Sequence, residues 1–197
     1  MVTGIILASG FSQRMNKEKL LLPVDGVFLV ERVVRAAASS LLDDIVLVYQ
    51  NDQVKKLAEK QGVRTVYNKH AARGQSAAIK AGIQSAGPGT RGFMFLVGDQ
   101  PFLTPEIINT IIDVFAQEPG KIVVPVYSGT RGNPVIFPSS LRTRLYGLEG
   151  DRGGRAVIDQ MHKNITWVAI ESRIAGCDID TTEDYEEYTG RSGGRSA

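Results

Sequence analysis

Three stretches of this 197-residue chain carry the side chains that could do chemistry. The first is LASGFSQRMNKEK, residues 7–19. Its small residues and Gly10 let a backbone come close to a ligand, its N–H groups can cradle an anion, and Arg14 and Lys19 add positive charge. That is the composition of a phosphate-binding loop, or else of two solvated charges beside an ordinary turn. It fits neither G-x-G-x-x-G nor G-x-x-x-x-G-K-[ST], so neither a dinucleotide fingerprint nor a Walker loop is supported. The second stretch is FMFLVGDQP, residues 93–101, where Asp99 closes an apolar run. A carboxylate placed there, opposite a phosphate loop, is what a hard divalent cation needs to bridge protein and phosphate oxygens; an acid before proline also simply starts turns. The third is CDIDTTEDY, residues 177–185, in which Asp178 and Asp180 alternate as on a strand and would share one face. Asp180 is there a candidate second metal ligand, while Thr181 and Asp184 stand at capping-box-like spacing, a structural reason for the same acids. Cys177 reads as a small buried residue, and His70 and His162 lack partners at ligand or triad spacing.

These stretches matter because each follows an apolar run, and open α/β sheets bind ligands beyond the carboxyl ends of their strands. Thr3 to Ala8, Ile45 to Tyr49, Val63 to Tyr67 and Phe93 to Val97 read as strands. Between them, Val27 to Ser40, a segment capped by Asn51, and Ala77 to Ser85 have helical spacing, with Ser76 as a candidate N-cap. Thr104-Pro105 opens a further helix that runs to about Gln117. Such alternation predicts an α/β fold with a Rossmann-like, mostly parallel sheet and helices on both faces. The second half is less regular. Strands at Ile122 to Tyr127 and Pro134 to Phe137 are joined by a hairpin-like excursion through residues 128–132. Helices follow at Leu141 to Leu148 and Arg155 to Lys163, then a strand at Ile165 to Glu171 and a last helix at Thr182 to Tyr188.

Composition narrows the class. Hydrophobic residues make up 43% and charged residues 22%, which suits a globular core and excludes collagen, coiled coil and global disorder. The formal charge of +2, from 23 Lys+Arg against 21 Asp+Glu, gives no broad footprint for nucleic acid or a membrane surface, and neither is expected as a partner. The lone cysteine rules out an internal disulfide and points to a cytoplasmic location. The apolar N-terminal run has no basic region before it and is far short of a membrane span. One domain over residues 1–190 and a flexible tail over 191–197 are expected.

Taken together, the motifs resemble those of the MobA-like NTP transferases, and within them the molybdenum cofactor cytidylyltransferases. Leu7 to Lys19 matches L-A-A-G-x-S-x-R-M-G-x-x-K in order and spacing, with Ser9 for the second alanine and Asn16 for a glycine. The likeness continues through Lys19 to Pro23, Asn68 with Gly74 and Ser76, Gly98 to Pro101, Arg131 to Phe137, Gly150 to Gly153 and Asp178 to Asp184. It implies a fold like that of nucleotide-diphospho-sugar transferases. It further implies that Leu7, Ala8, Ser9, Gly10, Ser12 and Arg14 hold a nucleotide, that Asn68, Gly74 and Ser76 contact base and ribose, and that Lys19 joins Arg14 in neutralising the triphosphate. Asp99 and Asp180 would coordinate Mg2+, with Asp178 in support; Arg14, Lys19 and Asp99 form the implied catalytic set. Arg131, Asn133, Asp151 and Arg155, with Arg152 beside them, would bind the acceptor. The implied reaction transfers CMP from CTP to the terminal phosphate of a molybdopterin-type cofactor and releases pyrophosphate, with a molybdoenzyme as client. A GTP-using enzyme, a sugar- or polyol-phosphate transferase, and a non-catalytic accessory protein are the competing readings.

Overall fold

The computed structural model describes residues 1–10 and 18–190. The expectations for Ser12, Arg14 and the tail from residue 191 therefore lie outside the described residues. In chain order the elements are β1 (Val2–Ala8), β2 (Pro23–Val24), β3 (Val27–Phe28), α1 (Leu29–Ala38), β4 (Asp44–Tyr49), α2 (Asp52–Lys60), β5 (Arg64–Tyr67) and α3 (Gln75–Ser85). They continue with β6 (Gly92–Val97), α4 (Pro105–Gln117), β7 (Ile122–Tyr127), β8 (Thr130–Arg131), β9 (Val135–Pro138), α5 (Arg142–Tyr146), α6 (Arg155–Gln160), β10 (Ile165–Ile170) and α7 (Thr182–Gly190).

The main sheet runs β10-β7-β9-β6-β1-β4-β5, with β8 beside β7. The pairs β1–β4, β1–β6, β4–β5 and β7–β10 are parallel; β9 lies antiparallel between β6 and β7, and β8 is antiparallel to β7. This is the mostly parallel α/β sheet that the alternation predicts.

Why the apolar runs are continuous follows from where their side chains go. Successive residues of a strand face opposite sides. Ile6, Met94, Leu96 and Val123 pack with Val33 and Val34 of α1, Val54 and Ala58 of α2, and Ile108 and Ile111 of α4. Their neighbours Ile5, Phe93, Phe95 and Val124 pack on the other face with Ile79 and Ile83 of α3, Leu145 of α5 and Ile158 of α6. Both faces are covered, so alternating polar residues would have no place there.

Helix ends carry the expected caps in two places. The Asn51 side chain accepts from the Gln53 backbone N–H at 2.7 Å, and Thr104 Oγ1 accepts from the Ile107 N–H, with Pro105 as first helical residue. Thr104→Ala is expected to cost about 1 kcal/mol of stability, visible as a lower urea midpoint with an unchanged slope.

Elsewhere the structure departs from the sequence expectation. The cap of α3 is Gly74, not Ser76; Ser76 lies in the first turn and gives its backbone N–H to Gly150 O at 3.1 Å, a partner 74 positions away that local pattern does not reveal. Leu141 to Leu148 is a 3-10 turn over Ser139–Leu141 followed by the short α5, and α6 stops at Gln160. Asp178 and Asp180 stand on irregular backbone after a 3-10 turn at Ile174–Gly176, not on a strand. The β2–β3 ribbon is too short to leave a period in the sequence. Among the described residues no helix is long and apolar enough to cross a membrane.

Candidate active site

Beyond the carboxyl ends of β1, β5 and β6 lies a cavity of about 340 Å³, bordered by Leu7, Ser9, Gly10, Gly74 and Asp99 among others. The chain leaves β1 with Ser9 buried, and Ser9 Oγ accepts from Asn68 Nδ2 at 2.9 Å. Asn68 is itself fixed, since its backbone N–H donates to Tyr49 O at 2.8 Å and its Oδ1 accepts from the His70 N–H at 3.2 Å. Of the residues expected around a nucleotide, Leu7, Ser9, Gly10, Gly74 and Asp99 border this cavity. Ala8 is packed in the core instead, and Asn68 and Ser76 are buried behind the wall, where they position Ser9 and the Gly150 loop.

Next to this cavity is a cluster of charge. Lys19 Nζ donates to Asp99 Oδ2 at 2.7 Å and to Asp180 Oδ1 at 2.8 Å. Burial works against the ammonium, but the two carboxylates outweigh it and hold the Lys19 pKa above the usual lysine value. What brings residues so distant in sequence together is a backbone bond, Ile179 N–H to Asp99 O at 3.1 Å, which ties the segment before α7 to the end of β6. The capping-box reading of that segment also holds: Asp184 Oδ2 accepts from the Thr181 N–H at 2.8 Å, and Thr181 Oγ1 accepts from the Asp184 N–H at 3.1 Å. Asp178 lies among the walls of the next cavity. Protein crowding out water, then the charges of Asp99 and Asp180, push its pKa up to about 6 against a hydrogen bond from Gln100 and the charge of Lys19.

The second cavity is larger, about 650 Å³, and has an apolar floor that includes Phe95, Val124, Val135 and Phe137. Arg131, Asn133, Asp151, Arg152 and Arg155, the residues expected at an acceptor, all border it. Arg131 Nη1 donates to Asp159 Oδ1 at 2.6 Å, which fastens the β7–β8 hairpin to α6 across this cavity. Tyr127 OH donates to Asn133 O at 2.7 Å and holds the far end of the same hairpin. Leu7, Gln75, Val97 and Asp151 border both cavities, so the two spaces meet there.

Several of these residues escape sequence reasoning. Gln75 borders both cavities, and a Cβ on Gly153 would overlap its Oε1. Gln100 is 1% exposed, donates to Gly176 O at 3.3 Å and leaves Oε1 without a partner. Asp159 sits in a helix that reads as purely structural. Only Gln100 carried a signal, its place directly after Asp99.

Two carboxylates, Asp99 and Asp180, could take a divalent cation jointly. Asp99 Oδ1 is closed to solvent and has no hydrogen-bond partner, an orphaned acceptor that suits such an ion. Among the described residues no group of three or more His, Cys, Asp or Glu converges at ligand spacing. That donor set suits a hard cation which completes its shell with water and substrate phosphate, and not a metal caged by protein alone.

A profile of the MobA-like NTP transferase domain matches residues 4–165. The chain belongs to that family. It is a nucleotidyltransferase by that membership. Among its relatives, the Purine catabolism protein PucB of Bacillus subtilis is 28% identical over 199 aligned positions covering 93% of each chain. A protein of Thermococcus gammatolerans named "Probable molybdenum cofactor guanylyltransferase" is 31% identical over 190 positions, covering 92% of this chain and 95% of its own. The solved structure of Rv0371C from Mycobacterium tuberculosis H37Rv in complex with manganese superimposes with a TM-score of 0.80 at 24% identity, covering 96% of this chain and 98% of that one. This chain shares that fold over nearly its whole length.

Proposed function

We propose that this MobA-like enzyme transfers CMP from CTP to the terminal phosphate of a molybdopterin-type cofactor. The observation that carries the reading is the Asp99–Lys19–Asp180 cluster beside the smaller cavity, which Asp99 borders, with Asp178 bordering the larger cavity that meets it. Two substrates that must meet at one phosphorus need that arrangement. The smaller cavity takes the nucleotide, at the carboxyl end of β1 where Leu7, Ser9 and Gly10 border it. The larger takes the acceptor, its flat apolar part on Phe95 and Phe137 and its anionic part towards Arg131, Arg152 and Arg155.

An oxygen of the acceptor phosphate attacks the α-phosphorus of CTP, the bond from that phosphorus to the oxygen bridging α and β breaks, and pyrophosphate leaves with the electron pair. No protein nucleophile takes part, so the chain contributes position and charge. Lys19 neutralises the leaving phosphates together with Arg14. Asp99 and Asp180 hold Mg2+, which when bound supplies charge neutralisation on the phosphate oxygens. Tyr127 and Asp159 hold the β7–β8 hairpin in place, and the apolar floor keeps water from competing with the acceptor.

CTP is favoured because Leu7-Ala8-Ser9-Gly10 stands nearer L-A-A-G than the guanylyl L-A-G-G. The name of the Thermococcus relative makes GTP the competing donor. Calorimetric titration with CTP, GTP, ATP and UTP, each with and without Mg2+, tests the base. Magnesium-dependent binding of CTP above the others, followed by pyrophosphate release when molybdopterin is added, is the expected result. Preference for GTP moves the enzyme to the guanylyl branch, and no binding of any nucleotide overturns the reading.

A further inference from the structure

The ammonium of Lys19 lies between the two carboxylates that the reaction above assigns to a divalent cation. It takes Asp99 Oδ2 at 2.7 Å and Asp180 Oδ1 at 2.8 Å, with its side chain 14% exposed. The remaining oxygen of Asp99, Oδ1, is closed to solvent. One oxygen is therefore engaged and the other shut off, and no cation can draw on Asp99 until something local moves. We propose that Lys19 is the resident counter-cation of this acid pair, displaced only when a triphosphate offers it a better partner, so that divalent cation and nucleotide bind as one coupled event. The inference rests on the assignment of Asp99 and Asp180 to the metal.

The physical case has three parts. Two carboxylates close enough to share one nitrogen repel each other, and a single positive charge between them removes that cost. The charge is on a flexible four-carbon stem, which can swing without moving the backbone, so Lys19 is suited to exchange partners where a rigid guanidinium is not. A triphosphate brings several negative charges to within reach of that stem, and its arrival vacates the carboxylates at the moment when a cation bridging protein and phosphate is needed. Linkage then makes the effect reciprocal: whatever factor nucleotide adds to metal affinity, metal adds to nucleotide affinity. In the free protein the site is kept satisfied by its own lysine, and a cation alone gains little by displacing it.

The test is Mn2+ binding in the absence of nucleotide, read from the paramagnetic resonance signal of the free ion, on wild type, Lys19→Met, Lys19→Arg, Asp99→Asn and the double variant Lys19→Met with Asp99→Asn. The expected result is weak binding by wild type and by Lys19→Arg. In Lys19→Met affinity should rise roughly tenfold or more, as expected for removing a unit charge at this distance from the site, and the double variant should lose the gain. Lys19→Arg keeps the charge and guards against a folding defect in Lys19→Met. Tight Mn2+ binding by wild type, equal to that of Lys19→Met and abolished by Asp99→Asn introduced alone, overturns the inference while the metal assignment stands. Binding that no Asp99 change affects, or no binding by any variant, overturns both.

Discussion

Asp99→Asn is expected to slow nucleotidyl transfer by roughly a hundredfold or more, the usual cost of removing one preorganised electrostatic partner from a transition state. The substitution keeps the size and shape of the side chain, so the backbone bond from Ile179 to Asp99 O survives, and with it the position of Asp180. What is lost is charge: the proposed metal site keeps one carboxylate of two, and Lys19 loses the charge of Asp99 while it keeps that of Asp180. Binding of CTP without metal should change little, because the smaller cavity is otherwise untouched. The measurement is the initial rate of pyrophosphate release against Mg2+ concentration. A rate and a magnesium dependence equal to those of wild type would sink the assignment of Asp99.

Gly74→Ala should damage both stability and acceptor use. Gly74 has φ +86, a conformation that side chains resist, and a Cβ there would lie 2.5 Å from the backbone carbon of Gly150 and closer still to Asp151 Oδ1. Backbone strain of this kind costs about 1–3 kcal/mol, and the clash adds to it because the obstacle is main chain and cannot turn aside. The Gly150 loop must move, and Ser76 N–H then loses Gly150 O. Since Asp151 borders both cavities, the shift reaches the seam where the substrates meet. Gly62→Ala, in the turn after α2 and bordering neither cavity, is the matched control, at φ +74 with nothing within 4 Å of the new Cβ. Thermal melting and acceptor KM should fall apart between the two: Gly62→Ala loses a few degrees, at roughly 2–4 °C per kcal/mol for a chain of this size, and keeps its KM, whereas Gly74→Ala loses more and raises KM. Equal behaviour would show that the Gly150 contact does not matter.

How much of this was legible depends on whether the cause was local. Phe93 to Val97 announces a strand covered on both faces because every side chain in it is apolar, and Thr104-Pro105 announces a helix start because the cap is made by residues three apart. The 7–19 stretch, Asp99 and the 177–185 segment each left an ordinary turn or cap reading open, and it was their joint likeness to MobA-like motifs that drew them into one candidate site. Lys19 could be named as a charge beside a phosphate, but not as the bridge between Asp99 and Asp180, because that depends on a backbone bond across 80 positions. Ser76 was misplaced as a cap for the same reason, its partner being Gly150. Gln75 and Asp159 were silent: a glutamine opening a helix and an aspartate within one carry no pattern of their own, and only the fold shows that they border a cavity.

The place of β9, antiparallel between β6 and β7, has a consequence for descent. By turning back there, the chain gathers one wall of the larger cavity from a single continuous run, Val124 to Asp159, while the smaller cavity draws on residues 7–10, 71–78 and 97–99 with Asp151 alone from that run. A lineage that rewrote only this one stretch of gene would pass on its nucleotide chemistry nearly intact and acquire a different acceptor.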